Sequence, residues 1–174
     1  MMQPTHSSNR ILLPARGWFI LLSCGLAVFL NMIPFGHLPG VPDWVALVLV
    51  FWCIHQPLRV GMGAAFLLGI AMDVVDASVM GQHAIAYVVL AFVAAGWSKR
   101  ILWFRLGEQA LHILPMLLGT QLLMMVVRLV GGGHFPGFAW FLGSLTGVVI
   151  WHPVTYLLLL PQYRPVDRDE NRPI

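Results

Sequence analysis

The stretch LLGIAMDVVDASVMGQHAIAY, residues 67–87, places two carboxylates, Asp73 and Asp76, in a run that is otherwise almost entirely apolar. A charged side chain is costly in hydrocarbon, so carboxylates found there face the inside of a helix bundle or a water-filled cavity. The stretch therefore predicts a helix that packs against a neighbour through the face carrying Asp73.

The composition of the whole chain indicates a membrane protein. Of its 174 residues, 59% are hydrophobic and 10% are charged, whereas soluble domains are about a quarter charged. The apolar residues form long runs with short Pro, Gly and charged segments between them, which leaves no room for a soluble domain. We expect one membrane domain over residues 17–160, between a cytoplasmic N-terminal segment, 1–16, and a disordered cytoplasmic tail, 161–174.

Six apolar runs are candidates for membrane-spanning helices, which need about 20 residues each. They cover residues 17–35, 43–55, 60–77, 83–98, 110–130 and 138–160. The second run is short and can span only if it is extended, if it thins the bilayer locally, or if its neighbours cover it. The predicted fold class is an all-α polytopic membrane protein with six transmembrane helices.

The basic residues predict the orientation of these helices. If both termini are cytoplasmic, nine of the ten Lys and Arg residues lie on the inner side, as the positive-inside rule requires. Only Arg128 lies near the outer face. Because the basic residues occur at the ends of apolar runs, the net charge of +3 orients the chain and does not indicate nucleic-acid binding.

The third run carries a stripe of small residues. Gly61, Ala65, Gly69 and Asp73 are spaced four apart and so share one face of a helix. Small residues let two helix backbones approach in a membrane, so this face is predicted to pack against another helix. Asp76 continues the same face, but it is close enough to the helix end to reach water.

Two interpretations of Asp73 stay open at the level of sequence. It is either a polar functional site or a structural carboxylate that fixes helix contacts. Arg128 ends the fifth run at a similar predicted depth, so an intramembrane ion pair between Asp73 and Arg128 is possible. Arg128 can equally extend to the outer lipid head groups.

The sequence predicts no catalytic residue, no cofactor and no metal site. Glu108 and His112 lie four residues apart, but no third ligand is in register, which favours a simple helix-surface pair. His152 and the other histidines are scattered over turns and helix ends. No nucleophile motif or glycine-rich phosphate loop is present.

The run PDWVALVLVFWCIHQPLRVGMGAAFLLGIAMDVVDASVMGQHAIAYVVLAF, residues 42–92, resembles the MreD family of bacterial rod shape-determining proteins. The features that carry the resemblance are Pro42, Asp43, Pro57, Phe66, Gly69, Asp73, Gly81, Ala84 and Tyr87. Asp76 lies where a small or polar turn residue is expected, so the resemblance assigns it no role.

The resemblance implies a non-catalytic scaffold subunit in the inner membrane, needed for rod shape and lateral peptidoglycan synthesis. Its implied partners are the periplasmic coiled-coil protein MreC, the actin-like MreB, RodA with its transpeptidase, and membrane lipids. The family also resembles the six-helix substrate-binding subunits of energy-coupling-factor vitamin transporters, so the alternative is a subunit that binds a small molecule. The sequence favours the scaffold because it offers no large outer loop that could close over a solute.

Overall fold

The architecture was analysed in a computed structural model, which describes residues 15–33 and 40–162. These residues form helices and no strand. The six α-helices are α1 (Gly17–Met32), α2 (Trp44–His55), α3 (Met62–Val75), α4 (Gln82–Ile101), α5 (Leu106–Val130) and α6 (Leu142–Leu159), with short 3-10 turns at Phe138–Phe141 and Leu160–Gln162. Each predicted run coincides with one helix, with ends that differ by a few residues; α4 and α5 extend beyond their runs. Most of the predicted N-terminal segment and tail lie outside the described residues, as do residues 34–39 between the first two helices.

The helices fall into two classes of length. Gln82–Ile101, Leu106–Val130 and Phe138–Gln162 are long and apolar enough to cross a membrane, judged by length and composition. The first three helices are also apolar but have 16, 12 and 14 residues, whereas a perpendicular crossing takes about 20. The helical fold class is therefore confirmed, while the count of six membrane spans stays a prediction.

The shortest helix, α2, lies at the centre of the bundle. Every residue from Val45 to Ile54 is buried, and the helix packs against α1, α4 and α6. A helix that is apolar on all sides belongs in such an interior. Trp52 Nε1 links this helix to α1 by donating to Ser23 Oγ at 2.8 Å. Of the three conditions under which the short second run could span, the structure shows coverage by its neighbours.

The small-residue stripe of α3 packs against α4. A Cβ added at Gly69 would overlap the backbone of His83 and Ala84, so the two backbones are in direct contact there. Ala65 is fully buried one turn earlier, and Gly61 precedes the first turn of the helix. Phe66 projects from another face and is 50% exposed. In the structure, this stripe therefore faces α4, the helix that follows it in sequence.

Candidate functional site

Polar residues from several helix ends surround one cavity of about 480 Å³. The ends of α1, α3 and α5 line it together with the starts of α2 and α4 and the turn before α6. We call this side of the bundle the carboxylate end, because Asp43, Asp73 and Asp76 lie there. The opposite side, here the basic end, carries Arg16, Arg59, Lys99, Arg100 and Arg105.

Asp73 of α3 holds the beginning of α4. Its Oδ2 accepts from the backbone N–H of Gly81 at 2.8 Å, and its Oδ1 accepts from the backbone N–H of His83 at 2.7 Å and from Ser78 Oγ at 3.1 Å. The first N–H groups of a helix have no partner within that helix, so a carboxylate from the preceding helix caps α4. Gly81 has a φ of +95°, which suits glycine and lets the chain enter α4 directly above Asp73.

The imidazole of His83 lies between two carboxylates. Its Nδ1 is 2.9 Å from Asp73 Oδ1, and its Nε2 is 3.5 Å from Asp76 Oδ2. The Asp73 side chain is 1% exposed, whereas that of Asp76 is 37% exposed. With a proton on Nδ1, His83 donates to the buried carboxylate and so orients it. The α3–α4 turn is thereby closed by side chains from both of its helices.

Asp43 caps the start of α2, as Asp73 caps the start of α4. Its Oδ1 accepts from the backbone N–H of Ala46 and from Asn31 Nδ2, both at 3.0 Å, and its Oδ2 accepts from Tyr87 Oη–H at 2.8 Å. Asn31 completes the arrangement, because its Oδ1 accepts from the backbone N–H of Trp44 at 3.0 Å. Asp43 is therefore an N-cap that also joins α1, α2 and α4.

The two carboxylate networks meet on α4. His83 contacts Asp73, and Tyr87, one helical turn later, contacts Asp43; their ring centroids are 5.8 Å apart. Hydrogen bonds to a charged group contribute about 1.5–3 kcal/mol each to stability. One face of α4 is therefore fixed to both α3 and α2 at the carboxylate end.

The structure does not bring Asp73 and Arg128 together. The two ion pairs found among residues 15–33 and 40–162 both involve His83, and Arg128 lies instead on the cavity wall. The physical reason is local: the carboxylate of Asp73 points at the start of α4, where nearby N–H groups and His83 already surround it. A carboxylate hydrogen-bonded in this way does not need a guanidinium as counter-charge.

The remaining predicted residues occupy ordinary structural positions. Pro42 directly precedes the N-cap of α2, and Pro57 lies in the turn between α2 and α3. Glu108 Oε2 accepts from the backbone N–H of Arg105 at 3.3 Å, and the His112 ring stacks on Phe104. No group of three His, Cys, Asp or Glu side chains within the described part of the chain could hold a metal ion.

Sequence reasoning missed three polar partners of the carboxylates, namely Asn31, Ser78 and His83. In the sequence, Asn31 lies within the first apolar run and His83 is one of several scattered histidines. A signal was present for His83, because it stands one turn before Tyr87 on the same helix face and directly after a tight turn that follows Asp73. The contact of Asn31 depends on how α1 and α2 meet, which local pattern does not reveal.

The chain is strongly apolar and helical, has helices of membrane-crossing length and carries buried carboxylates at one end of its bundle. These features define the class of small polytopic membrane proteins. The sequence profile of the family described as rod shape-determining protein MreD matches residues 10–160. The chain therefore belongs to the MreD family, as the resemblance over residues 42–87 predicted, and has a role in rod shape determination.

One curated relative supports the assignment along most of the chain. The rod shape-determining protein MreD of Haemophilus influenzae is 28% identical over 151 residues, which cover 82% of this chain and 89% of that protein. No solved structure matches the chain significantly.

Proposed function

We propose that this chain is a non-catalytic scaffold of the inner membrane that supports lateral peptidoglycan synthesis by binding MreC. MreB, RodA and its transpeptidase belong to the same proposed assembly. The observation that carries the proposal is the carboxylate end, where buried hydrogen bonds fix several helix ends to one another. Such an end keeps one shape, which a protein partner can recognise at a low cost in conformational entropy.

We also propose that all six helices cross the membrane, with both termini in the cytoplasm. The basic end carries Arg16, Arg59, Lys99, Arg100 and Arg105, whereas Arg128 is the one Lys or Arg among the described residues of the carboxylate end. By the positive-inside rule the basic end faces the cytoplasm. The carboxylate end then faces the periplasm, where the implied partner MreC has its coiled coil.

A non-catalytic role is supported by the use of the polar side chains at the carboxylate end. Asp43 and Asp73 accept hydrogen bonds from backbone N–H groups and from Tyr87, Ser78 and His83. Groups engaged in this way position helices and are not poised to transfer protons to a substrate.

The proposal is tested by capture of MreC from a rod-shaped bacterium depleted of its own MreD. Met80, in the α3–α4 turn at the carboxylate end, and Leu58, in the α2–α3 turn at the basic end, are both exposed large apolar residues. We expect Met80→Glu to reduce MreC capture and Leu58→Glu to leave it unchanged at equal protein levels. Absence of MreC from the wild-type preparation would overturn the scaffold proposal.

The orientation is tested separately with reporters fused after Ile174. A reporter that is active only in the cytoplasm should give signal, and one that is active only in the periplasm should not. Periplasmic activity at that terminus would exclude the six-span arrangement.

The cavity favours a second candidate function, a small-molecule-binding membrane subunit of a transporter. Its volume of about 480 Å³ lies within the range of small-molecule sites, about 300–1,000 Å³. Purification with a stoichiometric vitamin-like compound or with an ATPase pair would favour this function over the scaffold.

A further inference from the structure

The cavity at the carboxylate end presents both signs of charge to whatever occupies it. Arg128, from the last turn of α5, lies on its wall, and so does Asp76, the C-cap of α3. Gln82 and Gln121 add neutral polar groups to the lining. A site of this kind suits a polar ligand with separate positive and negative groups better than an apolar one.

The positive wall of the cavity has an unused binding capacity. Within residues 15–33 and 40–162, the ion pairs are those of His83 with Asp73 and Asp76, and neither involves Arg128. A guanidinium keeps its charge at every physiological pH and presents a planar fork of N–H donors. That fork matches the geometry of a phosphate or a carboxylate.

The negative wall is provided by Asp76. Its side chain is 37% exposed and lies 3.5 Å from His83 Nε2. A carboxylate has about four acceptor positions, so a partly exposed one that already has partners, as Asp76 does, can accept from a further cation. Asp43 also lines the cavity, and its two oxygens accept from Ala46, Asn31 and Tyr87. The partly exposed carboxylate of Asp76 is thus a group that a cation in the cavity can approach.

The aromatic residue on the same wall places the cavity near the membrane surface. Trp140, in the 3-10 turn before α6, lines the cavity together with Arg128. Tryptophan is enriched at the level of the lipid head groups. In the orientation proposed above, the cavity then opens at the depth of the outer leaflet's head groups.

We propose that the cavity binds a zwitterion, with its phosphate or carboxylate on Arg128 and its protonated amine on Asp76. The phosphoethanolamine group has this chemistry, and it is available either as the head group of phosphatidylethanolamine or as a soluble ester such as glycerophosphoethanolamine. The proposal rests on the cavity alone and goes beyond the scaffold function, since the ligand binds whether or not a partner protein is present.

The test measures ligand binding to the purified full-length protein in detergent by native mass spectrometry and thermal stabilisation, with no partner added. The probes are phosphatidylethanolamine, the anionic phosphatidylglycerol, and soluble glycerophosphoethanolamine. We expect the wild-type protein to prefer phosphatidylethanolamine over phosphatidylglycerol by about tenfold, because only the former offers an amine to Asp76. Arg128→Gln should weaken phosphatidylethanolamine binding by about tenfold, and Arg128→Lys by less, since lysine keeps the charge but loses the fork.

Matched controls separate the cavity from general charge effects. Arg100→Gln, the control for Arg128→Gln, removes the same charge at the basic end and should leave lipid binding unchanged. Glu108→Gln, the control for Asp76→Asn, neutralises a carboxylate at the basic end and should also leave lipid binding unchanged. Asp76→Asn should remove the preference for phosphatidylethanolamine over phosphatidylglycerol. If Arg128→Gln accumulates poorly, Arg128→Lys still tests the role of the guanidinium, because it keeps the charge and loses the fork of donors.

The outcomes are decisive in both directions. Binding of the lipid without the soluble ester identifies a lipid head group as the occupant, and binding of both identifies the head group chemistry itself; each supports the proposal. Equal affinity for the two lipids, or unchanged affinity in both Arg128 variants, overturns it. So does loss of MreC capture in Arg128→Gln without any zwitterion binding, which would assign the cavity to a protein segment. Because MreC capture by the wild-type protein is a separate measurement, failure here leaves the scaffold proposal standing.

Discussion

The two ends of the helix bundle are held together in different ways. At the carboxylate end, polar contacts join residues far apart in sequence: Tyr87 donates to Asp43 across 44 positions, and Asn31 to the same carboxylate across 12. At the basic end one hydrogen bond is also long-range, because the Arg59 guanidinium donates to the carbonyl of Ala15 at 2.6 Å across 44 positions. Most of the others there are local, such as Glu108 with the N–H of Arg105 three residues away and Gln109 with the carbonyl of Phe104 five residues away. The first kind of contact fixes helices relative to one another, whereas the second only shapes the end of a single helix.

This difference explains why a chain in an apolar environment keeps buried carboxylates. Asp73 and Asp43 each replace the missing hydrogen-bond acceptors at the start of a helix. An unsatisfied polar group costs more in lipid than in water, because no solvent can replace the lost partner. The carboxylates are therefore structural first, and whatever the carboxylate end binds depends on the shape that they maintain.

The largest expected effect comes from the backbone contact between α3 and α4. Gly69→Leu should force these helices apart, because the atoms that the new side chain meets are backbone atoms of His83 and Ala84 and cannot move aside. Overpacking typically costs about 1–3 kcal/mol, and here we expect the upper end, seen as loss of protein from the membrane fraction. Gly63→Leu is the matched control on the same helix, since a Cβ at Gly63 meets no other atom within 4 Å. Equal accumulation of both variants would show that the α3–α4 contact is not tight.

The next largest effect is expected from removal of the Asp73 carboxylate. Asp73→Leu leaves the N–H groups of Gly81 and His83 without their acceptor, and each buried unsatisfied group costs about 1–3 kcal/mol. Asp73→Asn should be milder, because one acceptor oxygen stays in place. Thermal unfolding in detergent should therefore rank wild type above Asn and Asn above Leu. An Asp73→Leu variant as stable as the wild type would show that the hydrogen bonds of Asp73 do not stabilise the carboxylate end.

A double-mutant cycle sharpens the account of Asp73. Because Asp73 and Arg128 form no ion pair in the structure, the effects of Asp73→Leu and Arg128→Leu on stability should add to within about 0.5 kcal/mol. The Asp73→Leu and Ser78→Ala pair should couple instead, since Ser78 Oγ donates to Asp73. Strong coupling between Asp73 and Arg128 would restore the ion pair that the sequence suggested.

The smallest effects are expected at the basic end and in α6. Glu108→Ala, His112→Ala and His152→Ala each remove at most a local contact, so each should change stability by about 0.5 kcal/mol or less. Cells that depend on any of these variants should keep their rod shape. Loss of rod shape at a normal protein level would show that the residue has a function beyond its local contact.

Helix content and packing faces could be predicted from sequence because each depends on local pattern. The long apolar runs gave all six helices, and the four-residue spacing from Gly61 to Asp73 gave the packing face of α3. The identity of Asp73's partners could not be predicted, because depth along a helix does not tell in which direction a carboxylate points. Arg128 has a similar predicted depth, but the N–H groups of the next turn are nearer. The Asp43–Tyr87 contact was likewise hidden, although both residues were singled out, because the pairing of α2 with α4 is a property of the whole bundle.

The most direct test of the contrast between the two ends is hydrogen exchange of backbone amides in the detergent-solubilised protein, followed by mass spectrometry. Peptides covering residues 80–86 and 101–108 report on the carboxylate end and the basic end, respectively. We predict slower exchange in the first peptide than in the second for the wild-type protein, and faster exchange in the first peptide alone for Asp73→Asn, because Gly81 and His83 lose part of their shared acceptor. Equal exchange at the two ends, or an Asp73→Asn profile identical to that of the wild type, would contradict the claim that Asp73 fixes the carboxylate end.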